Sequence, residues 1–127
     1  MLRLLMIVSG GFEAAFGASA LIAPDMLIGA LGAEADASSV FLSRVLGAAT
    51  LGLGIAALLA RNELGSRGGL AAAYGLALYN VLAAALILWT AAMVGHGGAA
   101  LWGAGLFHAL IGAAFVYALA SGDRIPR

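Results

Sequence analysis

The sequence predicts an all-α integral membrane protein, a four-helix bundle that forms a single domain over residues 1–127. Of its 127 residues, 64% are hydrophobic and only 9% are charged, and the mean hydropathy is +1.08. A soluble domain carries about 25% charged residues, so this chain has too little polar surface to cover a water-exposed globule. Four apolar segments are each long enough to cross a hydrocarbon core of about 30 Å. None shows the alternating pattern of a membrane β-barrel.

The four predicted transmembrane helices cover residues 2–23, 38–60, 70–94 and 99–120. Each should be helical because backbone groups cannot remain unpaired in lipid. The first segment also resembles a signal peptide, with Arg3 before an apolar run and the small-residue triplet Ala18-Ser19-Ala20 after it. Glu13 in the middle of that run argues against cleavage, so we expect the segment to be a retained helix.

The loop between the first two predicted helices has a structure of its own. Pro24 should end the first helix. The apolar residues that follow, Met26 to Ile28, predict a short interfacial helix on the outer side of the membrane. Ser38 or Ser39 is then expected to cap the second transmembrane helix.

The charges in the loops predict the orientation. Arginines lie at the N-terminus, in the second loop and at the C-terminus, namely Arg3, Arg61, Arg67, Arg124 and Arg127. The first loop carries acidic residues and no arginine, and the third loop carries only His96. By the positive-inside rule, both termini and the second loop are cytoplasmic. Arginine-only basic usage with abundant alanine and glycine is typical of a GC-rich bacterial genome, which favours the bacterial inner membrane.

Each predicted helix presents a face of small residues that also holds a polar group. These faces are Ser9, Glu13, Gly17 and Ala20; Ser43, Gly47, Thr50 and Gly54; Ala73, Ala77, Asn80 and Ala84; and Gly105, His108 and Gly112. Close packing of small residues and interhelical hydrogen bonds drive helix association in lipid, so these faces predict a bundle with a polar centre. Large side chains are expected at lipid-facing or peripheral positions, namely Phe16, Leu46, Leu53, Leu86, Trp89 and Phe115.

Glu13, Arg44, Asn80 and His108 form the candidate site, an intramembrane polar cluster. An unpaired charge at the bilayer centre costs at least about 2.5–3.5 kcal/mol. Either a Glu13–Arg44 ion pair or protonation of Glu13 would relieve that cost. The pair could fix helix register, serve as a counter-ion to a ligand, or carry a proton. His108 could be a neutral side chain hydrogen-bonded to Asn80, or a proton relay; Asn80 is most simply an interhelical hydrogen-bonding residue.

Several classes of chemistry lack the residues that they need. The chain has no cysteine, and its formal net charge of zero gives no electrostatic support for nucleic-acid binding. Bis-histidine haem would need a second histidine at the depth of His108, and zinc would need more ligands than Glu13 and His108. The glycines Gly52 and Gly54 follow no strand, so they indicate packing rather than nucleotide binding. We therefore expect no cofactor, no metal and no enzymatic activity.

The first half of the chain resembles a known group of membrane proteins. FGASALIAPDMLIGALG, followed after a short acidic loop by SRVLGAATLGLGIAALLAR, is similar to small four-helix bacterial membrane proteins of the DoxX-like type and to related families of unknown function. The shared positions are Gly17, Pro24, Arg44, Gly47, Leu51, Gly52 and Gly54. The resemblance implies a four-helix bundle. Some members are membrane subunits associated with quinone- or thiol-linked oxidoreductases, but the cysteines for thiol chemistry are absent here.

Three functions fit these observations, and the first is the one that we expect. It is an accessory or scaffold subunit that lies in the lipid bilayer and associates with itself or with another membrane protein. The second is a small transporter or ligand-binding bundle that uses the polar cluster, because intramembrane ionisable residues are candidates for function. The third is a lipid- or quinone-site subunit of a membrane oxidoreductase.

Overall fold

The computed structural model describes residues 1–94 and 98–121, except for the side chain of Val94. These residues form five helices and no strand. The helices are α1 (Leu2–Ile22), α2 (Pro24–Ala30), α3 (Ala37–Ala60), α4 (Arg67–Val94) and α5 (Ala99–Ala120). The all-α prediction is confirmed. The predicted turn around His96 and the tail with Arg124 and Arg127 lie outside the described residues.

The short helix predicted after the first long one is present as α2. Pro24 occupies its first turn, where the missing N–H of proline is harmless. Helix α2 ends at Ala30, and the chain turns away at Gly32, whose φ of +85° is a left-handed conformation that glycine adopts without a steric penalty. The Ile28 side chain of α2 is buried, so the apolar side of α2 packs against the long helices.

Helix α3 begins one residue before the predicted boundary, and its cap is Asp36 rather than a serine. The Asp36 side chain accepts a hydrogen bond of 2.6 Å from the Ser39 backbone N–H, and the Ser39 hydroxyl accepts one of 2.8 Å from the Asp36 N–H. This reciprocal capping box satisfies two donors at once, which neither serine could do as the cap. The same bond from the Ser39 N–H lowers the pKa of the exposed Asp36 carboxyl.

Helix α4 begins three residues before the predicted start at Leu70. The Ser66 hydroxyl accepts a hydrogen bond of 3.0 Å from the Gly69 N–H, and the Leu70 N–H bonds to the Ser66 carbonyl. Ser66 therefore caps the helix in the usual manner of serine. A Cβ atom at Gly69 would collide with the Glu63 carbonyl oxygen, so the turn requires a glycine at this position.

Helices α1 and α3 form one close antiparallel pair. A Cβ atom on Gly17 would lie 2.6 Å from the Gly47 carbonyl oxygen, and one on Gly54 would lie 2.6 Å from the Gly10 carbonyl oxygen. Backbones approach this closely only where side chains are absent. We call this contact, made by Gly10, Gly17, Gly47 and Gly54, the glycine seam.

Helices α4 and α5 form a second antiparallel pair, in which Gly105 faces Leu88 and Gly112 faces Val81. The two pairs pack together near Met1 through an apolar cluster that includes Leu2, Met6 and Leu76. Phe115 belongs to that cluster and is fully buried, so its predicted lipid-facing position is wrong. Gly112, one turn earlier on α5, brings the helices close enough to enclose the ring.

The outer surface of the four long helices is apolar. Each is long and apolar enough to cross a membrane. Large apolar side chains point outward on every one of them, and Leu4, Leu59, Leu86 and Leu110 are 62–73% exposed. Such a surface favours lipid rather than water as its surroundings. The chain therefore has the features of a multi-pass membrane protein.

Candidate functional site

Three of the four predicted site residues meet at the centre of the bundle. Glu13 of α1, Asn80 of α4 and His108 of α5 are 0%, 0% and 5% exposed. Nδ1 of His108 lies 2.9 Å from Oδ1 of Asn80 and 3.8 Å from Oε1 of Glu13. The small residues that flank them are also buried, as the sequence predicts. One helix of the first pair and both helices of the second are thus joined by polar groups, which we call the central network.

Asn80 is the hub of the central network. Its Nδ2 donates hydrogen bonds to the Ser9 hydroxyl at 3.0 Å and to the Leu76 carbonyl at 2.9 Å. The Leu76 carbonyl can only accept, so it fixes which end of the amide carries the nitrogen. The amide oxygen must therefore face His108. One side chain on α4 joins α1 to α5 in this way.

The orientation of Asn80 determines the protonation of one nitrogen of His108. Because Oδ1 of Asn80 has no proton to donate, Nδ1 of His108 must donate the hydrogen bond between them. The imidazole makes edge contacts with the rings of Phe12, Tyr79 and Phe107, at centroid distances of 5.8, 5.7 and 5.6 Å. These three rings hold the imidazole plane in a fixed position.

Glu13 is the one member of the central network whose acceptors are not satisfied. Neither carboxylate oxygen has a hydrogen-bond partner among the described residues. The Tyr79 side chain is near enough to interact with the carboxyl electrostatically, but the two groups do not meet in good hydrogen-bond geometry. An isolated ionised carboxylate is strongly disfavoured in such surroundings. We therefore expect a proton to be held on Glu13 or on the neighbouring His108.

Arg44 is not part of the central network. Its side chain is exposed, and no ion pair between Arg44 and Glu13 occurs in the described parts of the chain. A Cβ atom on Gly47 would lie 2.8 Å from Ala20, so Arg44 lies near the end of α1, whereas Glu13 lies level with Gly54. Ten residues of α3 separate these levels, about 15 Å at about 1.5 Å per residue. The predicted Glu13–Arg44 pair is therefore absent.

Thr50 does not join the central network either, although it is buried. Its hydroxyl donates to the carbonyls of Leu46 and Gly47 in its own helix, at 3.0 and 3.2 Å. Helix α3 thus contributes packing surface to the bundle centre and no interhelical hydrogen bond there. The sequence predicts one central polar group from each long helix. This holds for α1, α4 and α5, but not for α3.

A cavity of about 370 Å³ lies beside the central network, on the side toward α2. His108 and Tyr79 form its polar end, and the rest of its wall is apolar. The remaining lining residues are Phe12, Phe16, Leu31, Leu46, Leu82, Ala83, Leu86, Ile87, Leu101 and Ala104. An apolar pocket with a few convergent polar groups is the usual form of a small-molecule site.

A second hollow of about 450 Å³ lies on the outside of the α4–α5 pair. Three of the residues that line it, Tyr74, Leu78 and Val116, are 52–61% exposed. The hollow contains no residue of the central network. It is an open groove on the apolar surface and offers little to orient a ligand.

Sequence reasoning missed three contributors to the site. Tyr79 was expected only as packing or as an interface anchor, yet its ring packs edge-on against His108 and it lines the cavity. Phe12 and Phe107 stack on each other at 4.2 Å and enclose His108. The adjacency of Tyr79 to Asn80, at the same depth, is the one sequence signal that could have identified it.

No cluster of three or more metal-binding side chains occurs among the described residues. The chain matches no protein-family model, no curated protein and no solved structure. Its function must therefore be inferred from the geometry of the site.

Proposed function

We propose that this protein is a small membrane bundle that binds an apolar small molecule between its two helix pairs. The observation that carries the proposal is the cavity of about 370 Å³ beside buried His108 and half-buried Tyr79. Engineered apolar cavities of about 150 Å³ already bind benzene. The space is therefore large enough for a ring with a short chain, or for a folded acyl segment.

The central network beside this cavity indicates a binding site rather than a packing defect. An ionisable residue within a membrane is energetically costly, and the fully buried Glu13 has no hydrogen-bond partner in the described part of the chain. A scaffold could use an apolar residue at that position at lower energetic cost. A carboxyl 3.8 Å from His108, which itself lines a ligand-sized space, supports a binding role for the cavity.

The proposed surroundings are the bacterial inner membrane, with both termini on the cytoplasmic side. Arg3, Arg61 and Arg67 lie at the end of the bundle where α1 begins and the α3–α4 loop turns. The acidic residues Asp25 and Asp36 lie at the opposite end. This distribution supports the orientation that the positive-inside rule predicts.

Co-purification tests the proposal. The protein is extracted from membranes in a mild detergent, and native mass spectrometry and organic extraction identify any small molecule that it retains. The cavity-filling variant Ala104→Leu should lose that molecule. The matched variant Ala113→Leu, on the exposed side of the same helix, should keep it. Equal retention by both variants, or no retained molecule in the unaltered protein, would contradict the proposal.

The accessory or scaffold role stays a prediction from the sequence, as does the absence of enzymatic activity. The same native spectra report on it directly, because a partner membrane protein or a second copy of the chain would appear as an added mass. An accessory subunit can also bind a ligand. A co-purifying protein would therefore add to the proposed function rather than replace it.

A further inference from the structure

The two ring nitrogens of His108 have different surroundings, and this difference indicates what kind of molecule the cavity accepts. Nδ1 is engaged by Asn80 at 2.9 Å on the side of the central network. The ring also lines the cavity, and none of its hydrogen bonds within the described residues uses Nε2. Nε2 is therefore the nitrogen that can meet a ligand.

The central network sets the chemical character of Nε2. A neutral imidazole carries one proton, and the acceptor Oδ1 of Asn80 requires that proton on Nδ1. Nε2 is then left with its lone pair and can only accept a hydrogen bond. A ligand that satisfies this nitrogen must bring a donor.

The alternative is a charged pair, with the proton of Glu13 transferred to His108. In that state both ring nitrogens would donate, and the ligand would need an acceptor. The Glu13 carboxylate would then be ionised with no hydrogen-bond donor, 3.8 Å from Nδ1, which already donates to Asn80. Buried charges are stable only when they are paired and hydrogen-bonded, so the neutral arrangement is favoured.

Water is a poor occupant for this position. A buried water typically makes about three hydrogen bonds. The polar side chains that line the cavity are Tyr79 and His108, both at one end, so they fall short of that number and leave the apolar remainder unfilled. An amphipathic molecule satisfies Nε2 with its polar end and fills the apolar remainder with its hydrocarbon part.

We propose that the cavity binds an apolar molecule that carries a hydroxyl group, and that this hydroxyl donates a hydrogen bond to Nε2 of His108. The hydrocarbon part lies among Phe16, Leu86 and Leu101, toward α2. Alkylphenols and lipid-like alcohols have this chemistry. The inference rests on the proposed function and specifies the ligand class of the same site.

The affinity of the purified protein for three matched probes tests the inference. The probes are propylphenol, its methyl ether, which keeps the oxygen but lacks the donor, and propylbenzene. Propylphenol should bind about three- to tenfold more tightly than propylbenzene, the range expected for one added hydrogen bond. The methyl ether should gain nothing over propylbenzene.

Each outcome has a distinct meaning. Equal binding of all three probes would overturn the hydroxyl preference and leave the cavity as a binding site. A preference for the methyl ether would also overturn it, because Nε2 would then be a donor. No binding of any probe would overturn both this inference and the proposed function.

Two further measurements assign the preference to His108. His108→Leu should bind propylphenol and propylbenzene equally, while Thr50→Val, which alters a buried polar group outside the central network, should keep the preference. Nitrogen-15 NMR of the histidine side chains in the unaltered protein does not depend on a variant folding. It should show Nδ1 protonated and Nε2 unprotonated; the opposite tautomer, or a doubly protonated ring, would contradict the inference.

Discussion

Helix α1 uses its two sides in opposite ways. Toward α3 it packs through the glycine seam, where backbone meets backbone and nothing but a hydrogen atom fits at Gly17. Toward α4 and α5 it presents Ser9, which accepts a hydrogen bond from Asn80, and Phe12, which packs on Phe107. Glu13 lies on the same side, 3.8 Å from Nδ1 of His108 and beside a cavity. The first contact leaves no space for a ligand, and the second leaves a large one.

This difference indicates how a chain of only 127 residues can keep a cavity without collapsing around it. Close backbone packing fixes α1 against α3, and the apolar cluster with Phe115 fixes the two pairs at the end near Met1. The other end of the pair interface can then remain partly open. The central network lies at the boundary between the packed and the open parts.

The largest expected effect comes from filling the glycine seam. Gly17→Leu would drive a side chain into the backbone of Gly47 and Leu51, and it should lower the free energy of unfolding by about 3 kcal/mol, the upper end for overpacking. Denaturation by a titrated denaturing detergent in bicelles measures this. Gly52→Leu is the control, because no atom lies within 4 Å of the Cβ position there. Equal losses in both variants would contradict the seam.

The central network should be the next most sensitive region. Asn80→Leu removes the hydrogen bonds to Ser9 and His108 and leaves both groups buried without partners, at an expected cost of about 1–3 kcal/mol in unfolding free energy. The same denaturation assay applies. Thr50→Val removes a hydroxyl that bonds only within its own helix and should cost about 0.6 kcal/mol or less. A larger loss for Thr50→Val would show that the network is not the stabilising unit.

A double-mutant cycle can separate the observed neighbour of Glu13 from the predicted one. Glu13→Gln combined with Arg44→Gln should show a coupling energy below about 0.5 kcal/mol, because the two residues lie about 15 Å apart along the axis of the α1–α3 pair. Glu13→Gln combined with His108→Gln should exceed that value, since the side chains lie 3.8 Å apart. A coupling energy between Glu13 and Arg44 above that value would show that the two side chains interact, and would contradict the observed arrangement.

The smallest effect concerns Asp36, which lies outside both contacts of α1 and serves as a reference. Its pKa is lowered in the folded protein because the carboxylate accepts a hydrogen bond from the Ser39 N–H. The contribution to stability is therefore full above the unfolded pKa and is lost as the pH falls through the folded value. Asp36→Asn keeps a capping acceptor and should abolish this acid-range dependence of the unfolding midpoint. An unchanged pH profile in that variant would assign the dependence to another group.

The sequence predicted the four long helices well because uninterrupted apolar segments of membrane length have few alternatives. Their starts were less predictable, since Asp36 and Ser66 become caps only through bonds to Ser39 and Gly69. Small-residue spacing also identified the inward faces, including Glu13. A periodicity of 3.6 residues defines which residues share a face whatever the partner helix is.

The wrong predictions at the site concern how the helices are placed relative to one another. The spacing of residues along one helix does not define that placement. The axial offset of α1 against α3 is set by the glycine seam, and that offset places Arg44 about 15 Å from Glu13. The burial of Phe115 likewise depends on how closely α5 approaches its neighbours. Tyr79 could not be separated from other membrane aromatics without knowing which side of α4 faces Glu13.

The most direct test of the contrast between the two sides of α1 is a crystal structure of the protein pressurised with xenon, which enters apolar cavities and not close-packed contacts. We expect xenon in the cavity bordered by Phe16, Leu86 and His108, and none along the glycine seam. An empty cavity, or xenon between α1 and α3, would contradict this expectation.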